Sequence, residues 1–464
     1  MLVRFGRELE TLFGLTREVL LLYSPHRDLQ MRTFAAVPSV MADLPREVTP
    51  RITLIASPDP RASVKLADWS GLNLLAIPIP YGMPDPDDGA RELLRELQKH
   101  LFQRDAYAET APVHGTNFFG RRAQLQSVLD DVAHQRVAGV FGLRKSGKTS
   151  LLYQLRDEIA RSDALEHVFV LCDLEDMPSF PKPVVGPLVE SLRDRLLDEF
   201  RARKIRTKEL ADLDSDQPRD FKRALQTLLK KTEADGLQLV IALDEVEYLC
   251  PPDKVDLEFP EAQEVAQFFG VLRSLVQESR NFVFLIAGLA SATIEAGRLF
   301  GRHNPLYAWA KPYYLPPFSI DESDELLRTL GSTMGVTWDE RATRTVFDES
   351  GGHPFLLRDL ASTVVTQMPL DAARRMVTRS DVTRTLGPWR RRTAANIKEI
   401  LAHVGRYYPS EQILLEILLE DPAGFSDLVR DEQTSVYHLI QLGLILEPTP
   451  GAFVPSTLVS RSES

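Results

Sequence analysis

Val137-Ala-Gly-Val-Phe-Gly-Leu-Arg-Lys-Ser-Gly-Lys-Thr-Ser-Leu-Leu152 decides the fold. A β-branched apolar run, Val137 to Phe141, enters a loop spaced G-x-x-x-x-G-K-T, and an apolar, helix-forming stretch follows. A strand that hands a glycine-rich loop to a helix start is a P-loop in its working context. Gly142 and Gly147 allow backbone angles that bring several N–H groups round one phosphate. Lys148 reaches the outer phosphates as a point charge, and the Thr149 hydroxyl can ligate Mg²⁺. Gly142, Ser146, Gly147, Lys148, Thr149 and Ser150 are therefore the candidate nucleotide contacts.

The 464-residue chain is too long for one core; length alone suggests about three domains. Its composition, 44% hydrophobic and 26% charged, is that of a globular protein, and a formal net charge of −11 argues against a coat for nucleic acid. Cys172 and Cys250 end or follow apolar runs without metal-ligand spacing, so both read as reduced residues in or near a core. The opening Met-Leu-Val-Arg-Phe-Gly-Arg-Glu lacks a signal peptide's apolar region, and no apolar run approaches the ~18 residues of a membrane span. A soluble, cytoplasmic protein is expected.

Residues 1–108 read as a small α/β domain, an effector or sensor. Val19–Tyr23, Ile52–Ala56 and Leu74–Ile79 are buried-strand runs, and helices are expected near Arg61–Trp69 and Asp88–Arg104. Glu8, Glu10, Asp28, Asp59 and Asp68 are scattered and read as solvated carboxylates. Residues 105–116 read as a linker. Asn117-Phe-Phe-Gly-Arg-Arg then leads into a helix with Leu125, Val128, Leu129 and Val132 on one face. Its two aromatics either pack beside a nucleotide base or staple the helix start.

Beyond the P-loop, Val168–Cys172 is a second strand, and helices follow near Val184–Arg201 and Asp220–Thr232. Leu237-Gln-Leu-Val-Ile-Ala-Leu runs straight into Asp244-Glu245. A buried parallel strand ending in two acids places carboxylates at the sheet edge that also holds the P-loop, a Walker B arrangement. Asp244 would hold Mg²⁺ and Glu245 would polarise the attacking water, with Lys148 completing the catalytic set. Glu247 reads as a charged neighbour. Cys250–Pro260 reads as a loop beside that edge. Phe282–Ala287 is a further strand, and Gly297–Tyr307 with Lys311–Phe318 completes a doubly wound parallel sheet of about five strands. The ATPase domain is thus 109–318.

From residue 319 the strand signal ceases, and Asp321–Leu330, Arg341–Asp348 and Pro354–Gln367 make a helical lid, 319–385. Residues 386–464 carry helices near Ala394–Leu401, Glu411–Leu419, Phe425–Val429 and Thr434–Leu442, then two short apolar runs about Pro448-Thr-Pro-Gly. Helices followed by a hairpin make a winged helix. From Ser410 to Ser460 one basic residue, Arg430, stands against eight acids, so the module reads as protein-packing rather than DNA-reading. The basic cluster Arg390-Arg391-Arg392, with Arg384 and Lys398, precedes it and reads as a solvated helix face.

With these segments in view, residues 117–460 resemble a signal-transduction ATPase of the STAND class, close to archaeal-type and origin-recognition-like AAA+ ATPases. Phe118-Phe-Gly-Arg121 is similar to the hydrophobic-hydrophobic-Gly-Arg element that lies by the nucleotide in that class, although Arg122 and Gln124 stand where it carries glutamates. Gly352-His353-Pro354 resembles its G-x-P element, whose proline packs on the adenine. Asn304-Pro-Leu-Tyr307 after Gly301-Arg302 matches another recurring stretch. Ala287-Gly288 stand in place of its sensor arginine, and the histidine motif of its winged helix is missing. The resemblance implies ATP or ADP with Mg²⁺ as cofactors, Phe118, Arg121 and Pro354 as further nucleotide contacts, and Arg302 or Arg298 as an arginine finger in trans. It also implies closure with ADP, opening and homo-oligomerisation with ATP, and a signal passed to a protein partner through an attached domain, in bacterial antiviral defence or regulation. Two other readings stand beside this switch: a DNA-binding initiator- or transposition-type ATPase, and a nucleotide-bound scaffold that hydrolyses nothing.

Overall fold

Buried strands can satisfy their backbone only by pairing, and five of them do so in a single parallel sheet. In a computed structural model of the chain, its order is Lys311–Tyr314, Ala138–Phe141, Phe282–Gly288, Leu237–Asp244, Glu166–Asp173, parallel throughout. The central three strands are buried at every residue. The structure describes all residues except 14, 16, 43, 45–47, 72–73, 80, 83–84, 103–104, 110, 162–165, 178–184, 250–259, 290, 370–374, 432–434 and 462–464. Cys250, most of the loop expected at 250–260, and Val184 thus lie outside the described residues.

The chain divides into two units. The first joins Met1–Ala111 to Phe318–Ala394, the second Pro112–Pro317 to Ala395–Ser464.

In the second unit, helices Arg122–Ala133, Lys148–Ala160, Val185–Ala202, Pro218–Glu233 and Pro260–Glu278 connect the strands. Residues 297–307 do not join the parallel sheet as expected. Arg298–Leu299 and Arg302–His303 pair antiparallel as a separate small hairpin, because Phe300 and Gly301 both adopt positive φ and turn the chain back on itself. Its C-terminal part contains helices Pro409–Glu420, Pro422–Asp431 and Tyr437–Gln441, then an antiparallel hairpin, Ile445–Thr449 with Ala452–Pro455. Gly443, at φ +69°, precedes that hairpin, and a Cβ there would lie 2.1 Å from Pro317 Cδ.

In the first unit, a four-stranded sheet runs Leu2–Val3, Glu18–Tyr23, Val48–Ala56, Leu75–Ile79, with the last three parallel. Phe13, Val19, Ile52, Leu54, Ile77 and Leu101 pack one core; Leu29, Ile55, Leu66 and Ala76 pack another. Asp59 is not a solvated carboxylate: it is buried, accepting N–H bonds from Leu29 and Arg61 and a 2.6 Å ion pair from Lys65. Burial alone would raise its carboxyl; those donors outweigh it and bring the group down to about 2.

The lid segment supplies helices Ile320–Ser332, Glu340–Ser350 and Pro354–Thr366. The strand signal does not cease there: Val336–Trp338 and Arg375–Val377 pair in parallel, each too short for a periodicity to show. Nor are residues 105–107 a free linker. Tyr107 is 1% exposed; its hydroxyl donates to Leu327 O at 2.5 Å and accepts from Trp338 Nε1 at 2.9 Å. Arg358 donates to the carbonyls of Ala106 and Tyr107, and the buried Arg375 donates to Phe102 O and Val365 O. The helix expected from Ala394 extends over Arg379–Tyr407 with Pro388 inside it. Trp389, fully buried and bonded to Asp359, overrides the break that Gly387-Pro388 signals. Arg390 and Arg392 pair with Glu349 and Asp359.

Candidate functional site

Strand geometry places the P-loop and the two acids at one carboxyl edge, because Ala138–Phe141 and Leu237–Asp244 flank Phe282–Gly288 and all three run the same way. Gly147 has φ +98° and Lys145 φ +60°, so the loop turns sharply into helix Lys148–Ala160. Only glycine fits at 142, where a Cβ would meet Ser146 Oγ at 2.6 Å and Leu315 O at 3.2 Å. Backbone N–H groups and the positive end of that helix converge on the loop, the arrangement that binds a phosphate.

Lys148 is only 4% exposed. Its ammonium lies 3.4 Å from the carbonyls of Gly142 and Leu143 and 4.0 Å from Glu245 Oε1. Those contacts are long, so the ammonium stays available to a stronger acceptor. Ser146 Oγ is buried and has no hydrogen-bond partner among the described residues. Both facts fit an anion seated in the loop.

Thr149 Oγ1 donates to Asp244 Oδ2 at 2.5 Å, and Asp244 Oδ1 accepts the N–H of Glu245 at 3.0 Å. Burial pushes the Asp244 carboxyl up to about 6, offset in part by the Thr149 hydroxyl and Lys148. One hydroxyl and one carboxylate are hard oxygen donors, suited to Mg²⁺ that keeps most of its waters and phosphate ligands. Among the described residues no group of three or more His, Cys, Asp or Glu is arranged to hold a metal ion, so an ion here would depend on a nucleotide for the rest of its shell.

Glu245 takes a left-handed backbone, φ +56°, unusual for a residue with a Cβ and of the kind found at functional sites. Burial would raise its carboxyl, but Lys148, a hydrogen bond with Glu247, and the Arg144 and His403 charges outweigh it and hold the group below the ordinary glutamate range. Arg144 in turn pairs with Glu399. Glu247 is no mere charged neighbour: it is 7% exposed, and its Oε2 accepts the N–H of Leu289 at 3.0 Å. Burial and Glu245 push it up to about 8. A signal for it existed in Gly288, where the fourth strand ends without a side chain.

The other candidates divide. Arg121, at φ +59°, is buried and reaches Ser146 O at 3.4 Å, which brings it to the loop. Phe118 is half-buried one turn away in sequence. Ser150 Oγ instead accepts the N–H of Val113, and Gln154 Oε1 accepts that of Gly115, so the segment before Phe118 is strapped to the P-loop helix. Arg298 and Arg302 are exposed on their hairpin. Pro354 belongs to the first unit, as the first residue of helix Pro354–Thr366; Gly352 before it has φ +70°, and its carbonyl accepts the N–H of Phe318.

Residues 117–286 match the family model described as AAA ATPase domain. Among solved structures, a Walker-type ATPase of Pyrococcus abyssi superposes with a TM-score of 0.54 at 16% identity, over 77% of this chain and 100% of its own. The ORC2 protein of Aeropyrum pernix gives 0.46 at 14% identity, over 78% and 96%. The likeness to the first is one of fold. No curated protein matches the chain by sequence. Site geometry and family model together make this region a P-loop ATPase domain of the AAA type. No helix among the described residues is long and apolar enough to cross a membrane.

Proposed function

We propose that the chain is an ATP-hydrolysing molecular switch of the signal-transduction type. The observation that carries this reading is the meeting of Thr149, Asp244, Glu245 and Lys148 at one sheet edge. Loop N–H groups and Lys148 hold the β- and γ-phosphates, and Thr149 with Asp244 hold Mg²⁺. When bound, that ion neutralises charge developing on the phosphate oxygens. Glu245 accepts a proton from the attacking water and orients it. We assign base contacts to Phe118 and, independently, to Pro354, and an arginine finger from a second copy to Arg302 or Arg298, whose exposure suits that role.

The C-terminal helices and hairpin act as a winged helix that packs on protein. Its wing strands carry Glu447 and neither Lys nor Arg, which supports packing over phosphate contact. The N-terminal sheet and the helical lid fall in one unit, and nucleotide exchange or hydrolysis is proposed to act on that unit. That coupling is how nucleotide state would reach a partner or a second copy.

The test is the solution mass of the pure protein with ADP and with Mg²⁺ and a non-hydrolysable ATP analogue, beside a multiple-turnover phosphate-release assay. Turnover with a nucleotide-dependent mass establishes an assembling switch; turnover with an unchanged mass moves the signal to a partner. No turnover by the wild type removes the enzyme reading in favour of a nucleotide-bound scaffold.

A further inference from the structure

We propose that Tyr408 is a positioning residue for ATP hydrolysis, its hydroxyl fixing the tip of the central strand Phe282–Gly288, to which the phosphate loop and the turn after the acid pair are both tied; this rests on the hydrolase reading above. Tyr408 and the strand tip belong to the same unit.

That strand lies between the P-loop strand and the acid-tipped strand and runs parallel to both. One peptide group at its end is tied to each. The carbonyl of Gly288 accepts the N–H of Gly142, the first glycine of the phosphate loop, at 3.2 Å. The N–H of the same peptide, carried by Leu289, donates to Glu247 Oε2 at 3.0 Å, in the 3-10 turn Val246–Leu249 that follows Asp244-Glu245. A roll of that peptide plane therefore disturbs the loop and the acid turn together. A Cβ at Gly288 would lie 2.1 Å from Glu247 Oε2 and 3.0 Å from Val246 Cγ2, so the turn packs closely on the plane. From Phe282 to Leu289 the chain has no polar side chain of its own to fix it.

Tyr408 supplies the hold. The helix Arg379–Tyr407 stops there because Pro409 follows: a residue before proline is pushed out of helical backbone, and Tyr408 takes φ −135° and ψ 61°. Its ring is buried, and its hydroxyl donates to Leu289 O at 2.6 Å, accepts the N–H of Ser291 at 3.1 Å and lies 2.9 Å from Ser291 Oγ. Leu289 and Ser291 are buried as well, so neither main-chain group has water to turn to if the hydroxyl goes. The gripped carbonyl belongs to the peptide immediately after the bridging one, and the grip limits how far the bridging plane can roll. Without it the orphaned groups would find partners only by turning the chain at Leu289, and the ties to Gly142 and Glu247 would shift with that turn.

The experiment compares kcat and KM for ATP with Mg²⁺, ADP affinity and melting temperature of the full chain and four variants: Tyr408→Phe, Tyr408→Met, Leu418→Ala and Glu245→Gln. Phenylalanine keeps the ring and deletes the donor. Methionine deletes it with a side chain that adapts to the space, and keeps the test open should the phenylalanine variant not fold. Leu418→Ala removes a buried apolar side chain from helix Pro409–Glu420 and so costs stability alone. Expected for Tyr408→Phe is a kcat lowered about 10–100-fold, the cost of a misplacement of roughly 1 Å, with KM and ADP affinity within about threefold of wild type. Leu418→Ala should melt lower with kcat per folded molecule unchanged. Wild-type kcat in both Tyr408 variants, or an equal loss of kcat in Leu418→Ala, overturns the assignment. If Glu245→Gln abolishes turnover while Tyr408→Phe leaves it intact, this proposal alone falls. An inactive wild type takes down the hydrolase reading and this proposal with it.

Discussion

Thr149 and Asp244 stand 95 residues apart in sequence and share a 2.5 Å hydrogen bond from Oγ1 to Oδ2. The bond ties the start of the P-loop helix to the acid-tipped strand and, on the proposed reading, sets two oxygens for one divalent ion. Thr149→Val keeps shape and deletes the donor. Nucleotide affinity in the presence of Mg²⁺ should fall about 10–100-fold or more, because the hydroxyl is both a proposed ion donor and the partner that orients Asp244. Affinity in EDTA should stay near the wild-type value, and titration calorimetry in both conditions reads the difference.

Lys148→Ala should abolish nucleotide binding, because its buried ammonium is the charge assigned to the outer phosphates. Glu245→Gln should instead retain ATP while turnover drops by about 10²–10⁴, the usual contribution of a general base. Filter-binding and phosphate-release assays on the same preparations separate the two, and turnover surviving in both sinks the assignment.

His438 is held between Glu295 and Glu411 at 2.7 and 2.8 Å. Burial would lower its value; the two carboxylates, by hydrogen bond and charge, prevail and raise it to about 9. A folded value above the ordinary ~6.5 means stabilisation that is complete below pH ~6.5 and lost as pH climbs through about 9. With part of the ring in solvent, about 1–2 kcal/mol is expected. His438→Gln should melt below the wild type at pH 6 and level with it near pH 10; a constant gap across that range would refute the ionic reading.

Tyr107→Phe removes the acceptor of Trp338 Nε1 and the donor to Leu327 O without opening a cavity. A buried indole N–H left unpaired costs about 1–3 kcal/mol. Thermal unfolding should register that loss, with ATP turnover per folded molecule unchanged.

The phosphate loop and the acid pair were legible because each is a contiguous run whose period changes at a glycine or an acid. Glu247 was not, since a glutamate in a short turn looks solvated until the next strand, 35 residues on, is seen to end in Gly288 beside it. Pairing of Val336–Trp338 with Arg375–Val377 was invisible for a different reason: three residues show no alternation. Tyr107 was hidden as a lone aromatic among small and charged residues, and the burial of Trp389 is what carries a helix through Pro388. Local chemistry was readable, but contacts between distant segments, such as Arg358 with Ala106, were not.

Gly443 packs so closely on Pro317 that a single added carbon would sit 2.1 Å from the proline ring. In a saturation library, position 443 should therefore tolerate glycine alone, although it belongs to neither the phosphate loop nor the acid pair. Such a variant would score as dead in any activity screen. Trimming position 317, as in Pro317→Gly, would remove the clash but not the left-handed backbone that Gly443 holds at φ +69°, so the position is held to glycine by two separate constraints at the seat of the C-terminal hairpin.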